Sequence, residues 1–385
     1  MAVVIRGLAS HLWVRLSWKQ LEVVVTMKRT CLLLGVFVAS THPTELFAQA
    51  EPTGMRLPEP CERCQWILEQ PTYITRMTND TTAWFGRIMD IAVDDRDRVY
   101  VADWLRFLIV RVDVETGQTT VMGREGEGPA EFRAPRFIVP LDAGDVGVYD
   151  YLLRRFTVFD QQGDLRSSFN LSLMVPYATA VEADGKGHVF VSGAAFDSLA
   201  DDYVVHRFLL DGTYDGSFGE AELSFATLRD RGRFDGGSMV WDDSREILWI
   251  SRNGPRFRLQ GFRADGTKIH DYLYDEPAHW EPMTRTEERG DGQVLVTGRP
   301  RLGTLQLLHV APDEFVNTRR LTSNGRIEFA RISIPDGRVL QRWFEDEDVE
   351  GVVLPTAAAP DGTIFDTTAR NDTPDVVRYR VRWMR

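Results

Sequence analysis

The chain has 385 residues, with 43% hydrophobic and 26% charged side chains, 31 glycines and a formal net charge of −12. These proportions are those of a folded globular protein and exclude a disordered or collagen-like chain. The excess of acidic groups disfavours nucleic acid and anionic membrane surfaces as partners.

The first 50 residues have the layout of a secretory signal. The basic region Met27-Lys28-Arg29 precedes the apolar stretch Cys31–Ser40 and the cleavage-type sequence Ala48-Gln49-Ala50. The apolar stretch is too short to span a bilayer stably. Residues 1–26 are interpreted as an upstream extension with Met27 as the favoured start, and a short membrane-surface helix is the alternative. Removing residues 1–50 takes away five basic and two acidic side chains and leaves a net charge of −15, so we expect an acidic periplasmic or secreted protein.

Residues 51–64 form an N-terminal lead that contains two cysteines, Cys61 and Cys64. In an oxidising compartment this closely spaced pair favours one local disulfide. A metal site would need two further soft ligands, and the chain has no second CxxC sequence. Gln65 stands where a c-type haem motif requires histidine, which excludes that group. A redox or tethering role for the cysteines is the remaining alternative.

From Trp66 onward the predicted elements are short strands, and one turn signal marks their repeats. An Asp–Gly turn follows an alternating apolar run five times, at Asp113–Gly117, Asp160–Gly163, Asp211–Gly212, Asp265–Gly266 and Asp336–Gly337. Aspartate bonds its own backbone and glycine accepts positive φ, so the pair suits a hairpin. The aspartates are 47, 51, 54 and 71 residues apart, which is the spacing of four-stranded propeller blades with two insertions.

Blade one illustrates the predicted order, with strands Met89–Val93, Arg98–Ala102, Phe107–Val112 and Gln118–Met122. A sixth set of strands ends at Val376–Trp383 without a partner, while Gln65–Met77 precedes blade one without another role. Joining them would leave no open seam in the ring. We therefore predict an all-β fold over residues 65–385: a six-bladed β-propeller of four-stranded antiparallel blades, the last closed by an N-terminal strand.

Two segments are longer than the connections that a four-stranded blade requires. Ala195–Asp202 lengthens a loop in blade three, and Tyr274–Gly298 forms a long insertion before blade five. Long loops in compact domains often carry function, and a solvated excursion is the alternative interpretation.

The stretch Gly123–Pro135, GREGEGPAEFRAP, is the most specific motif in the chain. It resembles the linker between blades of NHL-type six-bladed propellers, a glycine-rich run into Gly-Pro-x-(Glu/Gln)-Phe-x-x-Pro. In this resemblance Phe132 would fill the wedge between blades one and two. The likeness covers roughly residues 86–170, and the linker motif is absent from blades three to five. The cysteine pair ahead of blade one also resembles secreted bacterial propellers of this kind. The resemblance implies the fold, whereas such propellers include binding modules, lyases and metal-dependent hydrolases.

Polar side chains occur at predicted strand ends that would converge on the central channel, where propellers usually bind ligands. The candidates are Asp90, Asp103, Arg106, Asp150, Arg154, Arg252, Asn253, Arg319 and Asp366. Together they could form a mixed-charge ring for a polar ligand or a divalent cation. The alternative is that Asp103 with Arg106, and Asp150 with Arg154, are local ion pairs that tie loops together.

The chain lacks the common nucleophile, zinc-protease, phosphate-loop and dinucleotide motifs. We therefore favour a monomeric, non-catalytic module that binds a small polar ligand or a protein, with no nucleic acid, no membrane span in the mature chain and no cofactor. The alternative is a metal-dependent hydrolase or lyase that resembles gluconolactonase-like propellers. It would need Asp90, Asp103, Asp150 or Asp366, with Asn253, to converge on one cation such as calcium.

Overall fold

The chain divides into two units, Met1–Ala48 and Gln49–Arg385. In the first unit, Ile5–Arg6 pairs antiparallel with His11–Leu12. The described residues include no helix long and apolar enough to cross a membrane. The computed structural model describes residues 5–6, 11–12, 51–61, 66–77, 84–173, 175–195, 200, 202–221, 236–253, 257–275, 285–288, 294–297, 303–320, 326–346, 353–359, 361–370 and 373–383.

The second unit is a six-bladed β-propeller, as predicted. Blades one to five each contain four antiparallel strands that follow chain order from the inside outwards, and in blade six the outermost strand comes from the N-terminal part of the chain. Each innermost strand contacts the innermost strands of both neighbouring blades, so the six form a closed ring.

The first three blades each contain four strands. Blade one consists of Ile88–Val93, Arg98–Asp103, Leu108–Asp113 and Thr119–Met122. Blade two consists of Pro135–Pro140, Val146–Asp150, Arg155–Phe159 and Leu165–Asn170. Blade three consists of Ala180–Ala183, His188–Ser192, Tyr203–Leu209 and Tyr214–Glu220.

The last three blades differ at their outer edges. Blade four consists of Gly237–Asp242, Ile247–Arg252, Arg258–Phe262 and Lys268–Asp275. Blade five consists of Gly303–Ala311, Glu314–Arg320, Arg326–Ser333 and Val339–Asp346. Blade six consists of Ala357–Ala358, Ile364–Arg370, Thr373–Trp383 and the N-terminal strand Trp66–Tyr73.

The N-terminal strand closes the ring, which confirms the predicted pairing of the two chain ends. Trp66–Tyr73 runs antiparallel to Thr373–Trp383, with Trp66 opposite Trp383. The Trp66 ring lies 5.2 Å from the Phe329 ring and 5.7 Å from the Trp343 ring, both in blade five. The closing strand therefore also packs against the neighbouring blade. It is followed by a short helix, Ile74–Met77.

The residues before the closing strand follow the outer rim. Thr53–Arg56 adds a parallel fifth strand to the outer edge of blade four. The Cys61 N–H then donates to the Arg342 carbonyl of blade five at 2.8 Å. Cys61 is disulfide-bonded, while Cys64 lies outside the described residues, so their pairing stays a prediction.

Apolar clusters fill the wedges between blades. The fully buried Phe132 of the linker packs in a cluster with Tyr100 and Ile109 of blade one and Val146 and Phe159 of blade two. Within this linker Arg124–Glu125 pairs in parallel with Glu131–Phe132.

The turns and insertions complete the fold. All five Asp–Gly signals lie between the third and outermost strands of blades one to five, with the glycine at positive φ, as at Gly337 (+68°). A short 3-10 helix, Asp142–Gly144, connects the first two strands of blade two. In the Tyr274–Gly298 insertion, Arg285–Glu288 and Val294–Thr297 form an antiparallel hairpin. The rest of that insertion after Asp275, and most of Ala195–Asp202, lie outside the described residues.

Candidate ligand-binding channel

The innermost strands of all six blades line a central cavity of about 380 Å³. Each of these strands is at the inner edge of its sheet, so one row of its backbone polar groups has no partner within the sheet. The polar and charged side chains along the cavity include Asp90, Arg136, Thr179, Glu182, Ser238 and Gln306. The channel therefore offers both backbone and side-chain groups to a polar molecule.

Asp90 bridges two blades inside this channel. Its Oδ2 accepts a hydrogen bond from the Ile138 N–H of blade two at 2.8 Å. Burial raises the pKa of Asp90 to about 7, against the opposing effects of two backbone hydrogen bonds and the Arg136 charge. The same bridge recurs between blades four and five, where the Leu307 N–H donates to Ser238 Oγ at 3.0 Å. At this repeat position blade four has a neutral hydroxyl and blade one an ionisable carboxyl.

Glu182 is the second carboxyl of the channel. Burial is the main cause that raises its pKa to about 8, and the Asp90 and Asp243 carboxylates add to the increase. Its carboxyl makes no hydrogen bond or ion pair with any other residue in the described part of the chain. The Asp90 charge thus contributes to the raised pKa of Glu182, and burial holds the pKa values of both carboxyls well above their usual range.

Arg136 brings a positive charge to the same channel. The strand register shifts between Pro135 and Phe137, so Arg136 occupies a β-bulge at the start of its strand. Similar shifts occur at Met89 and Leu305 in blades one and five. Bulges re-aim side chains and are frequent near functional sites. The Arg136 guanidinium lies over the Tyr151 ring, 4.8 Å from its centroid.

Asp103, predicted as a channel ligand, is instead a buried acceptor for backbone groups. Its two oxygens accept N–H bonds from Gly86 at 2.7 Å, Arg87 at 3.0 Å, Leu105 at 3.1 Å and Arg106 at 3.2 Å. The Arg106 guanidinium does not pair with this carboxylate and donates to the Trp84 carbonyl at 2.5 Å. Asp103 therefore ties the chain entering blade one to the following turn.

Asp150 and Asp366, predicted channel residues of blades two and six, are also acceptors for backbone groups. The Asp150 carboxylate accepts N–H bonds from Arg133, Ala134 and Leu153 at 2.7–2.9 Å. The Asp366 carboxylate accepts them from Thr367 at 2.7 Å and Leu354 at 3.3 Å, and burial raises its pKa to about 7. None of the three aspartates lines the central cavity. Arg154, a predicted channel residue, is exposed in a turn at φ +52°.

Three further candidates hold blades together. The buried Arg252 donates to the Glu220 carbonyl of blade three at 3.2 Å. Asn253 Oδ1 accepts the Thr304 N–H of blade five at 2.8 Å. Arg319 pairs with Glu328 at 3.3 Å and lies 4.3 Å from the Phe257 ring centroid. Of the nine predicted residues, Asp90 is the one that lines the central cavity.

The predicted cation site is not assembled from these residues. The Asp103 and Asp150 carboxylates are occupied by backbone donors and do not meet Asp90 and Asn253 in the channel. In the ranges that the structure describes, no three His, Cys, Asp or Glu side chains form a metal-binding group.

Glu182 and Arg136 are the channel residues that the sequence interpretation missed. Glu182 interrupts the apolar alternation of a predicted innermost strand, and Arg136 directly follows the linker proline. A charge within an innermost strand was the available signal, because that strand borders the channel.

A second cavity of about 420 Å³ lies between the outer strands of blades three and four. The arginine and lysine side chains that line it, Arg258 and Lys268, both bind the buried Asp271 carboxylate. Asp271 accepts hydrogen bonds from Arg258 at 2.6 and 2.7 Å and from Lys268 at 2.9 Å. This network gives Arg258 and Lys268 a structural role between two strands. The central channel, where Glu182 has no hydrogen-bonding partner among the described residues, is the better candidate site.

No protein-family model and no curated protein matches the sequence. Among solved structures, a candidate exported protein from Bacteroides fragilis is similar at a TM-score of 0.61 and 7% identity, over 86% of this chain and 100% of that chain. A member of the DUF4221 family from Bacteroides vulgatus is similar at a TM-score of 0.54 and 10% identity, over 83% and 98%. A PQQ-bound aldose sugar dehydrogenase from Streptomyces coelicolor reaches a TM-score of 0.47 at 14% identity, over 84% and 100%, too weak a likeness to argue from. These similarities show the six-bladed fold alone.

Proposed function

We propose that this chain is a periplasmic or secreted, non-catalytic propeller that binds a small polar ligand in its central channel. The observation that carries the proposal is the Glu182 carboxyl, which lies in the channel without a hydrogen-bonding partner among the described residues. Sheltering a carboxyl without a partner costs free energy. A ligand donor that meets Glu182 would offset this cost.

The channel chemistry narrows the class of ligand. Asp90 and Glu182 provide acceptors when ionised, and Ser238 and Gln306 add a hydroxyl and an amide. Arg136 offers a planar donor suited to a carboxylate or another acceptor. A ligand with a hydroxyl or ammonium donor on one side and an acceptor on the other fits this arrangement. The volume of about 380 Å³ is within the range of small-molecule sites.

The predicted signal of residues 27–50 supports the proposed location, since it would direct residues 51–385 out of the cytoplasm. The strand at Thr53–Arg56, which pairs with blade four, begins just after the predicted cleavage point. A single disulfide between Cys61 and Cys64 would be compatible with that compartment.

The proposal can be tested by thermal shift with a panel of neutral sugars, polyols, amino acids and polyamines. We expect one of these classes to raise the melting temperature of the purified chain, because a ligand that binds the folded state stabilises it. Glu182→Gln and Asp90→Asn should reduce this increase. Leu165→Ala, an exposed change on the outer strand of blade two, is the matched control.

Equal stabilisation of the wild-type chain and both channel variants would place binding elsewhere and contradict the proposal. A panel that gives no shift in any class would also contradict it. Turnover of any bound compound, followed by mass spectrometry, would replace a binding role with a catalytic one.

A further inference from the structure

Three arginines of blades one and two lie on aromatic rings at one end of the propeller. Arg87 lies 4.6 Å from the Trp104 ring centroid, Arg106 lies 4.7 Å from that of Trp84, and Arg136 lies 4.8 Å from that of Tyr151. We call these six residues the arginine–aromatic surface. None of the three guanidiniums forms an ion pair with a carboxylate in the part of the chain that the structure describes.

Backbone and side-chain hydrogen bonds make this surface continuous across the two blades. The Trp104 N–H donates to the Arg87 carbonyl at 2.9 Å, and Trp104 Nε1 donates to the Arg133 carbonyl at 3.3 Å. The Tyr151 N–H donates to the Ala134 carbonyl at 2.9 Å. All six residues lie at the same end of the strands: Trp84 and Arg87 are exposed, the other four are half-buried, and Arg136 also lines the channel.

Two exposed leucines are presented beside the arginines by equivalent turns. Leu105 is 64% exposed and Leu152 is 59% exposed, each two residues after the buried aspartate that anchors its turn. Both turns end at a non-glycine residue with positive φ, Phe107 at +57° and Arg154 at +52°. Such backbone conformations cost energy and persist where the surroundings enforce them. Here the turns hold apolar side chains in solvent.

The fold does not require this arrangement for its own stability. The turns are already anchored by Asp103 and Asp150, and an exposed cation–aromatic contact contributes only about 0.5–1 kcal/mol. Arginine, tryptophan and tyrosine are the residue types that carry most binding energy at protein interfaces. A guanidinium held over a ring can still form two parallel bonds to a carboxylate.

We propose that the arginine–aromatic surface binds an acidic segment of a partner protein that also carries apolar side chains. Carboxylates of that segment pair with Arg87 and Arg106, and its apolar side chains cover Leu105 and Leu152. Residues 51–385 carry a net charge of −15, which repels acidic partners in general. The arginines of this surface can attract an acidic segment locally. The leucines favour a protein segment over a polysaccharide or nucleic acid, which would leave them uncovered.

The test uses fluorescence anisotropy with a short labelled peptide rich in Asp and Glu that contains two leucines. We expect saturable binding to the purified chain that weakens as salt is added, since exposed charge pairs are screened. Arg87→Gln and Arg106→Gln should each weaken binding about tenfold, and Leu105→Ser about fivefold. Arg338→Gln, a 69% exposed arginine on a turn at the other end of the strands, is the matched control and should bind like wild type.

Arg87 is exposed and its hydrogen bonds to the described residues are made by its backbone, which the substitution keeps, so Arg87→Gln should retain the wild-type melting temperature. Glu182→Gln should bind the peptide normally, because the contacts proposed for the peptide are with Arg87, Arg106, Leu105 and Leu152, none of which lines the channel. No peptide binding by the wild-type chain, or equal binding by the Arg87 and Arg106 variants, would overturn the proposal. So would a heparin fragment or single-stranded RNA that outcompetes the peptide and is insensitive to Leu105→Ser.

Discussion

Carboxyl groups at neighbouring positions of this propeller have different roles because their backbone surroundings differ. Asp103 and Asp150 point to runs of free N–H groups and serve as acceptors that hold the entry to each blade. Glu182 points into the channel, away from such donors, and its pKa rises with burial. The first arrangement supports the fold, and the second is available to a ligand.

Replacing Asp103 by alanine should lower the free energy of unfolding by about 2–4 kcal/mol, because four backbone N–H groups lose their acceptor. Urea denaturation measures the change. Asp95→Ala, an exposed aspartate in a turn of the same blade, should change stability by less than about 0.5 kcal/mol. Equal effects of the two substitutions would show that the Asp103 network contributes little.

Glu182 should make stability fall with pH. Its pKa is about 8 in the folded chain and 4.5 as a free side chain, so between these values the folded state holds the extra proton. The free energy of unfolding therefore decreases as pH rises through this window. Glu182→Gln removes the ionisation. We therefore expect the free energy of unfolding of the variant, relative to that of wild type, to increase by at least about 1 kcal/mol from the low-pH end to the high-pH end of this window.

Urea denaturation of both proteins below pH 4.5 and above pH 8 measures this difference. Glu246→Gln is the matched control, since Glu246 is exposed and its pKa is lowered by Lys186. A difference between wild type and Glu182→Gln that does not change with pH would contradict a protonated Glu182 in the channel.

At the scale of elements, the chain before blade one contributes two strands of different importance. Trp66–Tyr73 completes blade six through its pairing with Thr373–Trp383. Thr53–Arg56 is a fifth strand on blade four, which already has four. Loss of the first opens the ring, whereas loss of the second leaves six complete blades.

A chain truncated before Leu57 should retain the wild-type β-sheet circular dichroism and melt only a few degrees lower. A chain truncated before Thr78 should lose cooperative unfolding, because blade six loses its outer strand and blade five its contacts with Trp66. Comparing the two thermal melts tests the distinction. Cooperative unfolding of the shorter chain at the same temperature would show that ring closure does not need this strand.

Trp66→Ala provides a milder version of the same test. It should cost about 3–5 kcal/mol, since Trp66 is a buried ring that contacts Phe329, Trp343 and Trp383. Trp84→Ala, at a 52% exposed tryptophan, is the matched control and should cost less than about 1 kcal/mol.

At the scale of the whole molecule, the six innermost strands form a ring whose stability comes from contacts between blades. The apolar clusters join residues of neighbouring blades, as Phe132 does between blades one and two. Rigid walls of this kind keep channel groups in place and reduce the entropy lost when a ligand binds. The turns at one end present a surface with different chemistry, and Arg136 belongs to both this surface and the channel.

Removing divalent cations should leave the folded molecule unchanged. The carboxylates considered for a cation are occupied by backbone donors, and the described residues contain no metal-binding group. We therefore expect equal melting temperatures in calcium and in chelator, and no stoichiometric metal by mass spectrometry of residues 51–385. A fall of several degrees in chelator would contradict this expectation and favour the hydrolase alternative.

The repeat architecture could be predicted from the sequence because its signals are local. An Asp–Gly turn and the alternation of apolar residues act within one hairpin, and a strand without a partner at each end of the chain indicated the closure. The same reasoning placed Asp90 on an innermost strand. Of the nine candidates, Asp90 is the one that lines the channel. The other eight were misplaced because the sequence of a strand end does not show which groups surround its side chain in the fold.

Only the tertiary structure decided which polar residues could meet a ligand. Asp103 accepts N–H bonds from Gly86 and Arg87, which lie 17 and 16 residues earlier in the chain. The pKa of Glu182 is raised in part by the charge of Asp90, which lies about two repeats earlier. The repeat pattern does not specify the burial, bulges and neighbours of such groups. They arise when six blades close into a ring, and they determine whether a carboxyl supports the backbone or faces the channel.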